Sequence, residues 1–227
     1  MKKMLVIIFI LLIIFMGIYI NKKNIGNETV TATEVNNIEE YISKIYMWQE
    51  VTEEALPKFN NINDAPDLWL WEVVKKNLDD YEVSYDEIEQ KAKEIFGEEF
   101  TKQFPKEGTE YIQYNEELKK YVATGVGLDT LDDSFFIKQI TKTKNGYEVE
   151  ITEYLEDYEN SMNIEDENQV YDIYIKDLNH NIIATIKSND GKTKSIEVVK
   201  ENIDKFTTKK IILEKDKNEN LYVRQVG

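Results

Sequence analysis

Two five-residue segments carry oxygen donors at alternate positions: Asp177-Leu178-Asn179-His180-Asn181 and Asp216-Lys217-Asn218-Glu219-Asn220. Donors at positions one, three and five are how a calcium loop begins, because oxygens on alternate residues can converge on one cation. Both segments then depart from that chemistry. Position six is Ile182 or Leu221 rather than glycine, and position twelve is Ser188 or Gly227 rather than a bidentate glutamate. Asp and Asn also favour tight turns, where their side chains accept nearby backbone N–H groups. The expectation is a pair of hairpin turns, with no metal and with His180 as a solvated turn residue. Gly125-Val126-Gly127 lacks the third glycine and the lysine of a phosphate loop and reads as a turn or bulge.

Carboxylates gather at Asp129, Asp132 and Asp133, at Glu153, Glu156 and Asp157, and at Glu165, Asp166 and Glu167. A pair of acids at the right separation can hydrolyse a glycoside. Nothing in this spacing marks one of them as buried, so solvated faces are the expectation. The chain has no cysteine, and His180 is its one histidine. Disulfides, thiolate metal sites and cysteine nucleophiles are excluded, and a Ser-His-Asp triad has little to draw on. No cofactor motif stands out, and the expectation is a domain without catalytic activity.

Aromatic residues offer binding chemistry instead. Trp69 and Trp71 are two apart, so on a helix they face different ways. Trp71 fits an apolar stripe with Leu68 and Leu78. Trp69 leaves that stripe and is expected to line a groove or stand exposed, which makes it the preferred anchor for a partner. Tyr154 and Tyr174 fall on the polar side of two adjacent predicted strands, beside Glu150 and Asp172. Tyrosines among carboxylates make a protein- or sugar-binding surface.

Those side chains need elements to position them. Lys2 and Lys3 precede an unbroken apolar run from Met4 to Ile20, long enough for a single membrane-spanning helix. No small-residue cleavage site follows closely, so the run reads as an anchor over residues 1–21, not a cleaved signal. Residues 22–35 read as a linker and 36–227 as one α+β domain, helical over 36–108 and mostly sheet over 109–227. Helical spacing covers 38–55, 67–78 and 84–96, the last opened by the capping box Ser84-x-x-Glu87. Gly97 ends or kinks that helix. Beyond Gly108 the period becomes two, giving strands over 109–114, 119–124, 134–143, 147–157, 169–177 and 181–187. A helix over 194–206 and a hairpin of 208–214 with 220–226 complete the pattern.

The formal net charge is −16. Four of the 28 basic side chains (Lys2, Lys3, Lys22 and Lys23) precede the first acid, Glu28, so the rest carries 24 against 44, a net of −20. Such a domain repels nucleic acid and anionic lipid headgroups and favours basic partners. Lysine, isoleucine, asparagine and glutamate dominate, a usage that resembles low-GC Gram-positive bacteria. Helices preceding a mostly antiparallel sheet over residues 67–187 resemble the NTF2-like and cystatin-like cone folds, in which N-terminal helices pack on a bent sheet. Members of that group serve as ligand-binding, partner-binding or occasionally catalytic domains. The resulting expectation is a single-pass protein of the cell membrane, N-terminus cytoplasmic and domain extracellular, binding a basic protein or other envelope partner. Trp69, Trp71, Glu150, Tyr154, Asp172 and Tyr174 are its candidate contact residues. A cell-wall hydrolase using a carboxylate pair and a structural subunit of an envelope complex are the alternatives.

Overall fold

A computed structural model describes residues 29–47, 54–123, 131–158, 170–187 and 191–227, with the backbone alone at 131–133 and 191–193. The first helix, α1 (Ala32–Ile45), starts at Thr31, whose side chain accepts from the Glu34 N–H while the Glu34 carboxylate accepts from the Thr31 N–H. This capping box lies inside the stretch expected to be linker, so the domain begins earlier than apolar periodicity indicates. Ile38, Tyr41, Ile42 and Ile45 form its buried stripe. The expected continuation through Trp48, Val51 and Thr52 lies outside the described residues.

Helix α2 (Asp67–Lys76) buries Trp69, Leu70, Trp71, Glu72, Val73 and Val74 in succession. A helix apolar around most of its circumference is enclosed on several sides. Helix α3 (Tyr85–Phe96) opens with the expected Ser84–Glu87 capping box and stops at Gly97. Gly97 has φ 86 and ψ 170, a region that only glycine enters readily. Phe100 and Phe104 are therefore not helical, yet both are buried in the same core.

Strands β1 (Glu82–Val83), β2 (Ile112–Asn115) and β3 (Lys120–Ala123) make a small antiparallel sheet in the order β1-β3-β2. The larger sheet contains β4 (Leu131–Lys142), β5 (Gly146–Asp157), β6 (Asp172–Lys176), β7 (Ile182–Lys187), β8 (Thr207–Lys215) and β9 (Leu221–Val226). Helix α4 (Gly191–Glu201) lies between β7 and β8 in the chain. The fold is α+β, with helices packed against antiparallel sheets.

Strand β5 is the spine. It pairs with β4 along its length, while its other edge takes β8 over Gly146–Glu153 and then β6 over Leu155–Asp157. Its two halves bury opposite faces. Tyr147, Val149 and Ile151 join Ile211, Leu213 and Val223 under the α1–α3 layer. Tyr154, on the other face, joins Ile173, Ile186, Val199 and Phe206 beneath α4. Burial of both faces is why β5 is buried at every position from Ile151 to Asp157.

The expected span at residues 4–20 lies outside the described residues. Among the described residues, no helix is long and apolar enough to cross a membrane.

Candidate functional site

Both tryptophans are core residues, which corrects the expectation for Trp69. Trp69 is 1% and Trp71 3% exposed. The Trp69 indole N–H donates to the Ala55 carbonyl at 3.0 Å, and its ring lies 5.6 Å from Phe59 and 5.8 Å from Phe96. Trp71 meets Phe100 and Phe104 edge-on, at 5.9 and 5.2 Å. A single apolar stripe presupposes one covered helix face, whereas the middle of α2, residues 69–74, is buried all round.

The tyrosine face is also corrected. Asp157 pairs with Tyr174 and Glu156 with Ile175. Directly paired residues share a face, so Tyr174 and Asp172 lie with Asp157 and away from Tyr154. Tyr154 is 1% exposed, packs 6.4 Å from Phe206, and has its hydroxyl pushed well above the usual tyrosine range, chiefly by burial. Glu150 is partly accessible and ion-pairs with Lys138 at 3.4 Å, and Asp172 ion-pairs with Lys187. Glu150, Tyr154, Asp172 and Tyr174 do not converge.

Both Asp-x-Asn-x-Asn segments are hairpin turns of the same geometry. Asp177 Oδ1 accepts from the Asn179 and Asn181 N–H groups at 2.9 and 2.8 Å. Asp216 Oδ1 accepts from the Asn218 and Asn220 N–H groups at 2.7 and 2.9 Å. Residue four is left-handed in each, with φ 62 at His180 and φ 67 at Glu219. The carboxylates that would begin a calcium loop instead close the turn.

Of the carboxylates expected to be solvated, Glu153, Glu156 and Asp157 are buried. Asp157 pairs with Lys176, and Glu156 accepts from the Tyr158 hydroxyl. Glu153 lies 3.3 Å from the Lys209 ammonium, which also donates to the Leu56 carbonyl. Burial pushes the Glu153 carboxyl up, the Lys209 charge only partly opposes this, and Glu54 adds to it. Sealed from solvent, this pair ties β5, β8 and the segment after α1 together. Gly125, Gly127, Asp129, Glu165, Asp166 and Glu167 lie outside the described residues.

The broad concavity is elsewhere, between α1, α3 and the β8–β9 turn, with a volume of about 1030 Å³. Glu40 and Lys44 come from α1, Asp86, Glu89 and Glu94 from α3, Asp216 and Glu219 from the turn, and Asp79 and Glu98 from the segments that follow α2 and α3. Eight carboxylates and three lysines line it. Two of those lysines are paired within the groove: Lys44 with Glu40 at 3.0 Å, and Lys91 with Asp79 and Glu94 at 3.2 and 3.3 Å. The groove thus keeps a surplus of negative charge over a large area.

Its floor is rigid. The Tyr41 hydroxyl donates to the Ile95 carbonyl at 2.9 Å and accepts from the Val223 N–H at 2.8 Å. One side chain therefore joins α1, α3 and β9, and burial pushes its hydroxyl above the usual tyrosine range. Along the wall, a Cβ on Gly97 would stand 2.9 Å from the Tyr222 ring. Sequence reasoning finds none of this, because the acids of α1 and α3 read locally as the ordinary polar faces of amphipathic helices. An open, polar groove with surplus negative charge suits recognition of a cationic segment. No family model matches the chain, and neither a curated protein nor a solved structure is similar to it.

Proposed function

We propose that this chain is a membrane-tethered binding module without catalytic activity, displayed outside the cell, which takes a basic segment of a protein partner into the groove between α1, α3 and the β8–β9 turn. The observation that carries the reading is the groove's excess of eight carboxylates over three lysines. The apolar run Met4–Ile20 supports the tether, and the net charge of −16 supports selection of basic partners. We read the fold as NTF2-like in the broad sense, on the strength of helices that precede and pack against a mostly antiparallel sheet.

Titration of the full chain in detergent micelles with a lysine-rich peptide tests the groove. Glu94→Lys/Glu98→Lys should weaken binding at least about tenfold, because opposite charge becomes like charge at the contact. Glu116→Lys/Glu117→Lys makes the same charge change on the exposed β2–β3 turn and should have little effect. Equal losses in the two variants would show diffuse attraction and remove the groove as a site.

A further inference from the structure

The start of α1 is pinned to one end of the large sheet. Glu34 Oε1 lies 3.0 Å from Lys142 Nζ and accepts from the Tyr147 hydroxyl at 2.8 Å. Lys142 and Tyr147 are the last β4–β5 pair before the connecting turn. The β8–β9 turn reaches the same end: Gly146 pairs with Glu214, the Lys215 N–H donates to the Asn145 carbonyl at 2.9 Å, and Lys215 Nζ sits 5.3 Å from the Tyr147 ring centre. The N-terminal segment therefore enters the domain where these two turns meet.

Two of the acids at this end are matched by lysines. Glu34 is matched by Lys142, Glu219 pairs with Lys215 at 2.7 Å, and Asp216 is held by its turn. Lys144 and Lys217 are exposed on the two tips. In the sequence, Lys22 and Lys23 follow the apolar run after Asn21.

We infer that this end of the sheet, with the β4–β5 and β8–β9 turns, faces the membrane and rests on anionic lipid headgroups through Lys144 and Lys217. The inference rests on the tether reading above. Residues 21–30 separate the apolar run from the helix cap, a reach of about 35 Å at full extension. The twelve residues of β5 span about 40 Å. Turning the far end of the sheet to the bilayer would need a longer tether. The near end can approach with its lysines foremost, each basic side chain near an anionic surface strengthening the contact roughly fivefold.

The chain has no cysteine, so single labels are clean. Asn145→Cys marks the near turn, and Val170→Cys marks an exposed site before β6 at the far end. The labelled full chain is reconstituted in phosphatidylcholine vesicles carrying a headgroup quencher, with and without phosphatidylglycerol. Position 145 should be quenched several-fold more than position 170. The difference should grow with phosphatidylglycerol, and shrink in high salt or in Lys144→Glu/Lys217→Glu. Equal quenching at both positions, or stronger quenching at 170, in chains that co-float with the vesicles overturns the orientation alone. A preference for 145 that ignores phosphatidylglycerol and salt overturns the lysine contact. A chain that does not co-float refutes the tether, and the inference falls with it.

Discussion

Glu153 interrupts an otherwise apolar row of β5, made by Tyr147, Val149, Ile151 and Leu155, and it is fully buried against Lys209. The interruption is visible in the sequence. Its burial is not, because the matching lysine comes from β8, a strand distant along the chain. Removing one partner of such a pair leaves an uncompensated charge, so Lys209→Met should cost about 3–5 kcal/mol in urea unfolding. Glu153→Leu/Lys209→Met should recover most of that loss, and simple additivity of the two single changes would show that the charges are not coupled. Glu34 and Glu153 should act oppositely in acid. The backbone bond with Thr31, then Lys142 and Tyr147, hold the Glu34 carboxyl near 2 instead of its ordinary 4.5. Its contribution is thus present above the unfolded value and lost as pH falls from about 4.5 towards 2. Glu153 is shifted upward, so protonating it favours the fold, and its contribution is lost as pH rises through the folded value. Thermal midpoints between about pH 4.5 and 2 should fall less steeply with acid in Glu34→Gln, whereas Glu153→Gln should lose the opposing component at pH values above the unfolded value of 4.5. An unchanged profile for Glu34→Gln would contradict the anchoring role of that carboxylate.

At the scale of elements, period and capping locate most strands and helices. Alternation over 147–157 corresponds to β5 at Gly146–Asp157, and the Ser84–Glu87 box marks the start of α3. Register is not written locally. The pairing of Asp157 with Tyr174 places the even residues of β6 on the face of the odd residues of β5, which separates Tyr154 from Tyr174. Helix environment is equally non-local: the spacing of Trp69 and Trp71 shows two directions but not that both directions are covered. Gly97 is the element-scale position where sequence and geometry agree. Its φ of 86 and the Tyr222 ring 2.9 Å from a would-be Cβ both require glycine. Gly97→Ala should destabilise the domain by about 1–3 kcal/mol and loosen the groove wall, seen as faster amide exchange at Tyr222. A variant as stable as the parent would show that the α3 terminus readily adopts another conformation.

Among the described residues, two cores lie on opposite faces of the larger sheet, joined through β5. The overall acidity is legible from composition and points to a basic partner. The groove is not, because α1, α3 and the β8–β9 turn are separated in sequence and only the fold brings their carboxylates together. Tyr41 shows the same limit: its place in the apolar stripe is readable, but not its bonds to Ile95 and Val223. Photocrosslinking in intact cells tests most directly whether this groove is where a basic partner binds. A photoreactive amino acid replaces Glu98, at the groove, or Thr185, exposed on β7. Position 98 is expected to give one discrete adduct with a protein of basic isoelectric point, and Glu40→Lys/Glu94→Lys should abolish it. The same adduct from both positions, an acidic partner, or a yield unaffected by the charge reversals would contradict the assignment of the groove as the binding site.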